Sequence, residues 1–392
     1  MRQFVSERAK NIKPSGIRKF FDLCAGSKDI ISLGVGEPDF TTPWQISEAG
    51  VKTIREGRTQ YTSNKGLESL RVEISSYLKN RYKVDYDANE IMVTVGASEA
   101  IDVALRAIID DGDEILVPEP CYVSYAPCVE LSGGVPVGVS CKVENDFKLT
   151  PTDLEKAITP KTKALILPYP NNPTGAVMEK EYLEKIIPVI IKNDILVIAD
   201  EIYSELTYGD EHCSIASFQG MAERTIYISG FSKAFAMTGW RIGYVCAKGE
   251  VYSAMLKIHQ YALICAPIFS QYAALEALSS GKSDDYYVVK QMRDEYDKRR
   301  KFMIKSFNDM GLTCFEPKGA FYVFPSVKST GLDGQAFAEK LLESKKVAVV
   351  PGSAFGDSGK YFIRCSYAYS MKNLMTAIKK IEEFVLELKS KV

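Results

Sequence analysis

The chain has 392 residues, 46% of them hydrophobic, 11% aromatic and 25% charged. That length exceeds the roughly 250–300 residues a single core supports, so two packed lobes are expected; the composition excludes a disordered chain, a collagen-like repeat and a disulfide-dense mini-protein. Lys and Arg number 49 against 50 Asp and Glu, a net charge of −1, which provides no bulk field for nucleic acid or an anionic membrane. Nine cysteines without a CxxC and two histidines give no metal-ligand pattern. The charged N-terminus, MRQFVSERAKNIKPSG, has no apolar h-region, and no apolar run approaches a membrane span. These features read as a cytoplasmic globular protein with reduced thiols.

In chain order, the first 45 or so residues are rich in Pro and Gly and show no regular period. They are expected to join a smaller lobe. From there a rhythm sets in. Short apolar runs at Ile91–Val95, Glu114–Val117, Ala164–Leu167, Ile195–Ala199 and Thr225–Ile228 read as strands, with helical patterns such as Ser98–Ile109 and Glu179–Lys192 between some of them. Strands buried on both faces and separated by helices imply a mostly parallel α/β sheet. After Gly281 the pattern changes to a long charged helix (Asp284–Asn308), strands around Ala320–Phe324, Val347–Val350 and Tyr361–Ser366, and a last amphipathic helix with Leu374, Ile378, Ile381, Val385 and Leu388 on one stripe. The expected division is an N-terminal segment (1–45) joining the small lobe, a large domain (46–285) and a small α+β domain (286–392).

Ligands of open parallel sheets bind beyond the carboxyl ends of the strands, and here those ends are polar. Gly96-Ala97-Ser98 opens a helix whose N–H groups suit an anion. Tyr122 follows the second run and has a ring able to stack on a flat group. Asn171 and Asn172 stand between prolines, where a rigid amide is able to donate to a phenolate oxygen. Asp200 ends a buried strand, which demands a cationic partner such as a protonated ring nitrogen. Lys233, among small and apolar residues, is expected to lose hydration and become a nucleophilic amine, with Arg241 eight positions on as a fork for phosphate. Singly, each of these is equally an ordinary cap, turn, core residue or surface charge. Together they match the groups of one cofactor, pyridoxal phosphate.

At this point the chain resembles the class I/II pyridoxal-phosphate aminotransferases of fold type I, over essentially its whole length. The resemblance is carried by Gly36-Glu37-Pro38-Asp39-Phe40, Tyr61-Thr62, Gly96-Ala97-Ser98, Asn172-Pro173-Thr174-Gly175, Asp200-Glu201-Ile202-Tyr203, Ser232-Lys233, Gly239-Trp240-Arg241 and Arg364, in matching order and spacing. It implies a large three-layer α/β/α domain with a mostly parallel sheet and a smaller α+β domain. It further implies that Lys233 bonds the cofactor and moves the α-proton, while Asp200 keeps the pyridine nitrogen protonated. Asn172 and Tyr203 would bond the phenolic oxygen, and Tyr122 would stack on the ring. Ala97, Ser98, Ser232 and Arg241 would hold the phosphate, and Tyr61 would reach the phosphate of a neighbouring subunit, which implies a homodimer. Arg364, the Gly36 backbone and Asn172 would bind the substrate α-carboxylate.

Two departures stand out. The family often has a hydroxyl residue three before the lysine, where this chain has Gly230, so one phosphate bond is lost or falls to Ser232. Some acidic-substrate members place a Lys at the position of Ser98, and its absence here weakens a strictly aspartate-specific reading; Arg18 reads as a solvated or structural arginine ahead of a substitute for that Lys. The implied activity is transfer of an amino group from an L-amino acid (aspartate, aromatic or alanine-like) to a 2-oxo acid such as 2-oxoglutarate, by a ping-pong mechanism. A carbon–sulfur β-lyase on the same site and a non-catalytic regulatory homologue are the alternatives. The regulatory one is disfavoured by the presence of Lys233 and the absence of an added DNA-binding module.

Overall fold

The computed structural model describes residues 2–14, 16 and 29–390; Arg18, singled out above, lies outside them. In chain order the strands are β1 (Ile31–Ser32), β2 (Ile91–Thr94), β3 (Glu114–Glu119), β4 (Val135–Ser140), β5 (Thr162–Leu167), β6 (Leu196–Asp200), β7 (Thr225–Gly230), β8 (Gly243–Cys246), β9 (Tyr322–Val323), β10 (Val347–Ala348), β11 (Val350–Pro351) and β12 (Ile363–Ser366). Seven of them build the central sheet in the order β2-β8-β7-β6-β5-β3-β4. Ladders β4–β3–β5–β6–β7 are parallel, and β8 runs antiparallel to both β7 and β2.

The apolar runs form these strands because both faces of the sheet are covered: Ala164, Leu165, Ile166, Val197, Ile198 and Ala199 have no exposed surface. Two strands of the sheet were not singled out in the sequence. The β4 segment, VPVGVS, is a half-exposed edge containing Pro and Gly, and β8 is four residues long, so neither shows a strong period.

A second, three-stranded sheet has the order β11-β12-β9, and β1 pairs in parallel with β10. The single apolar run at Val347–Val350 is thus shared between two sheets: β10 takes β1 and β11 takes β12. The charged helix begins at Tyr287 rather than Asp284 and runs to Asp309. Asp285 and Tyr286, at φ 53° and 56°, break it from the preceding helix Ile268–Ser283. In the last helix, Met371–Lys389, the expected stripe faces inward, with Leu374, Ile378, Ile381 and Val385 buried and Leu388 packed on the same core. Among the described residues no helix is long and apolar enough to cross a membrane.

Candidate functional site

The carboxyl ends of β2, β3, β5, β6 and β7 open into a cavity of about 900 Å³. Of the site residues expected from the sequence, Gly36, Ala97, Ser98, Tyr122, Asn172, Asp200, Tyr203, Ser232, Lys233, Arg241 and Arg364 line it. Tyr61 does not; it is 80% exposed on the outer surface.

Asp200 and Glu201 are adjacent but face opposite ways. Glu201 is buried and bonds His212 Nε2 at 2.6 Å and the Ser214 hydroxyl at 2.7 Å, so it belongs to the framework. Asp200 Oδ2 accepts from the Tyr125 hydroxyl at 2.7 Å and Oδ1 from the Ile202 N–H at 3.3 Å. Burial raises its pKa to about 6, because the charged form loses water and no described cation pairs with it. Lys233 Nζ donates to the Gly36 carbonyl at 2.8 Å. Burial pushes its pKa down to about 8, with Arg364 and Arg241 pushing the same way against Glu37 and Asp200.

The two adjacent asparagines also divide their work. Asn171 Oδ1 accepts from the Thr174 N–H and hydroxyl and shapes the turn. Asn172 Oδ1 faces the cavity and accepts from Arg364 Nη1 at 2.8 Å. Arg364, on β12, sends Nη2 to the Gly34 carbonyl at 2.5 Å and lies 4.5 Å over the Tyr322 ring. Its buried Nε has no partner among the described residues. The Tyr203 hydroxyl meets the Tyr322 hydroxyl at 2.9 Å, and burial raises the pKa of both, Tyr203 well above the ordinary phenol value.

The helix Gly96–Ile108 presents its first turn to the cavity. Gly96 has φ 77°, and a Cβ there would stand 2.6 Å from Arg241 Nη2, so only glycine lets the guanidinium approach. Glu99 closes the turn from behind, accepting from the Val95 N–H and contacting His259 Nδ1, each at 2.5 Å. Gly230 has a structural reason to lack a side chain, since a Cβ would sit 2.9 Å from the Gly243 Cα in the neighbouring strand. The Gly36–Phe40 loop is held over the cavity from two sides: Asp39 takes two bonds of 2.8 Å from Arg299, and Thr42 bonds Trp240 and the Ala236 carbonyl.

Tyr125, Tyr322 and Glu37 are cavity residues to which the sequence reading gave no role. Tyr125 and Tyr322 bond the predicted residues Asp200 and Tyr203, and Glu37 is a carboxylate at the rim. Tyr125 and Glu37 sit within motifs already quoted or three residues beyond one. Tyr322 has no such signal, because it comes from β9 and is brought in by the fold.

Comparison with known proteins agrees with this arrangement. The family model "Aminotransferase class I and II" matches residues 28–381. A putative aminotransferase, YugH, of Bacillus subtilis is 52% identical over 98% of this chain and 99% of its own length. An aspartate aminotransferase of Pyrococcus abyssi is 48% identical over 98% of this chain and 99% of its own. The crystal structure of an aromatic aminotransferase from Pyrococcus horikoshii superimposes with a TM-score of 0.90 at 45% identity, covering 95% of this chain and 99% of that one. The chain therefore belongs to the class I and II aminotransferases, enzymes that move an amino group between an amino acid and a 2-oxo acid.

Proposed function

We propose that the cavity holds pyridoxal 5'-phosphate on Lys233 and that the enzyme transfers the amino group of an aspartate-, aromatic- or alanine-like L-amino acid to a 2-oxo acid such as 2-oxoglutarate. The single observation that carries this reading is the convergence of Lys233, Asp200, Asn172, Tyr203, Arg241 and Arg364 on one cavity. The residues fit the cofactor: Asp200 is a buried carboxylate that no cation among the described residues pairs with, Lys233 is an amine whose pKa is lowered to about 8, and the missing side chain at Gly96 lets the Arg241 guanidinium lie against the helix N-terminus. The volume, about 900 Å³, leaves room for a substrate as well.

In this reading the Ala97 and Ser98 N–H groups, the Ser232 hydroxyl and Arg241 hold the phosphate at a helix N-terminus. Tyr122 packs on the ring, Asn172 and Tyr203 donate to its phenolic oxygen, and Asp200 keeps the ring nitrogen protonated. When bound, the cofactor provides the electron sink for the charge left at the substrate α-carbon. Arg364 orients the substrate by gripping its α-carboxylate with a planar fork, and the Gly36 backbone and Asn172 close that subsite. Lys233 Nζ removes the α-proton; an amine with a pKa near 8 is well matched to that work at neutral pH.

The enzyme is further proposed to act as a cytoplasmic homodimer, with Tyr61 reaching the partner's phosphate. Trp44, Ile54, Tyr61, Tyr261 and Phe269 form exposed apolar surface on neighbouring segments, and the eight described cysteines are free thiols. The proposed domain division places 1–45 and 286–392 in the smaller domain and 46–285 in the larger; the β1–β10 pairing supports it for Ile31–Ser32, whereas the helix Glu7–Asn11 packs on the helix Tyr125–Leu131 of the larger domain, with Arg8 paired to Asp111.

The test is direct. Protein loaded with pyridoxal phosphate and treated with borohydride should carry the cofactor mass on the peptide containing Lys233. A screen of the twenty amino acids should then show half-reaction turnover. Release of pyruvate and ammonia from cystathionine, without any amino transfer, would instead establish the β-lyase; no observation here favours it.

A further inference from the structure

We propose that Tyr125 is a positioning residue whose hydroxyl fixes Asp200 as an ionised, correctly aimed acceptor for a protonated ring nitrogen. The inference rests on the proposed role of Asp200. Both side chains are buried, Tyr125 3% and Asp200 5% exposed. The hydroxyl donates to Oδ2 at 2.7 Å, whereas the other bond to the carboxylate among the described residues, from the Ile202 N–H to Oδ1, is 3.3 Å long. Tyr125 is therefore the shorter restraint on the carboxylate, and it leaves Oδ1 as the freer oxygen.

Tyr125 is itself held in place. It begins the helix Tyr125–Leu131, and its ring meets Tyr122 edge to face, with centroids 5.6 Å apart. Asp200 has few other sources of support. Glu201 next to it disfavours its charge, and Lys233 across the cavity favours it without reaching ion-pair distance. Cys121 and Tyr122, the remaining titratable groups facing Tyr125, are acids that add no positive charge. Burial keeps the Tyr125 phenol well above its ordinary pKa, so it remains a donor wherever the protein is folded. A hydrogen bond to a charged group stabilises the charged form, so losing this one favours a neutral Asp200 that cannot hold the proton on a ring nitrogen.

A purely packing role predicts something different, and a ligand comparison separates the two. Dissociation constants of cofactor-free protein are measured for pyridoxal phosphate and for its 1-deaza analogue, which has carbon in place of the ring nitrogen. Tyr125→Phe should weaken pyridoxal phosphate binding by about tenfold to a hundredfold, as expected for one bond to a charged group, and leave the analogue within about twofold of wild type. The deficit should widen as pH falls from 8 to 6, because Asp200 protonates earlier without its donor. Equal losses for both ligands, or no loss for either, overturn the proposal. Tyr125→Leu gives the same pair of readings should Tyr125→Phe aggregate. Asp200→Ala is the control on the underlying reading: if it leaves pyridoxal phosphate affinity unchanged, the proposed role of Asp200 at the ring nitrogen fails, independently of Tyr125.

Discussion

Arg364 donates to Asn172 across the two sheets: Nη1 of a residue on β12 lies 2.8 Å from the amide oxygen of a residue that follows β5. The contact ties the smaller sheet to the rim of the larger one at the point where a substrate carboxylate would enter. The guanidinium is also fixed by the Gly34 carbonyl and by the Tyr322 ring beneath it. Such a fork is already aimed before substrate arrives, which reduces the ordering cost of binding.

Replacing it should therefore be severe. Arg364→Ala is expected to lower kcat/KM for amino acids by roughly a hundredfold or more, as two bonds to a charged group are lost. Asn172→Ala keeps the fork but loses the bond to Nη1 and the proposed neutral bond to the phenolic oxygen, which Tyr203 still makes, and should cost less, about tenfold. Steady-state kinetics at several amino-acid concentrations checks the ranking, and equal effects of both variants would contradict it.

Lys233 provides a test of electrostatics in the cofactor-free protein. Its pKa in the fold, about 8, lies below the ordinary 10.5. From about pH 8 to 10.5 the unfolded chain thus binds one more proton than the folded one, so stability rises with pH across that window. Lys233→Met removes the buried charge. It should raise the Tm of cofactor-free protein at pH 7 by on the order of 2 °C, and the advantage should shrink above pH 8. Scanning calorimetry at pH 7 and pH 9.5 gives both numbers.

Gly36 is fixed by close approach. A Cβ at this position would lie 2.4 Å from the Tyr322 hydroxyl oxygen, so Gly36→Ala must displace either Tyr322 or the loop that accepts from Lys233. An increase of about tenfold in amino-acid KM is expected, from a misplacement of a few tenths of an ångström at the reacting groups. Because the clash is with one oxygen atom, adding Tyr322→Phe should recover part of the loss. A double variant no better than Gly36→Ala alone would place the strain elsewhere.

Stability away from the cavity depends on Glu205. Its carboxylate takes Arg81 through Nε at 2.9 Å and Nη2 at 2.8 Å, with Tyr77 and Tyr82 donating to the same group. Burial opposes the charge, but Arg81 and the two phenols outweigh it and hold the pKa below 4.5. With the folded value depressed, this contribution is present above pH 4.5 and is lost as pH falls through the folded pKa. Arg81→Met leaves a buried carboxylate without its cation and should destabilise the protein by about 3–5 kcal/mol, measured by urea unfolding at pH 7. At pH 4 the difference should narrow.

Much of this protein was legible as a string. The apolar runs ending at Leu167, Ala199 and Ile228 had to be strands buried on both faces, because nothing else hides so many branched side chains with helices on either side. Polar residues after those runs had to gather at one sheet edge, since parallel strands end on the same side. Local chemistry thus marked Lys233, Asp200 and Asn172. Other features depended on distance in sequence. Tyr322 meets Tyr203 across 119 positions and Arg364 meets Asn172 across 192. The assignment of Asn171 to the turn and of Glu201 to His212 needed the directions of side chains, which adjacent identical or similar residues do not reveal. The sequence by itself determined which strands form and which chemical groups stand at their ends, because both are set by neighbouring residues. Only the tertiary structure decided which of two neighbours faces the cavity and which distant partner fixes it, because burial and pairing are properties of the packed chain.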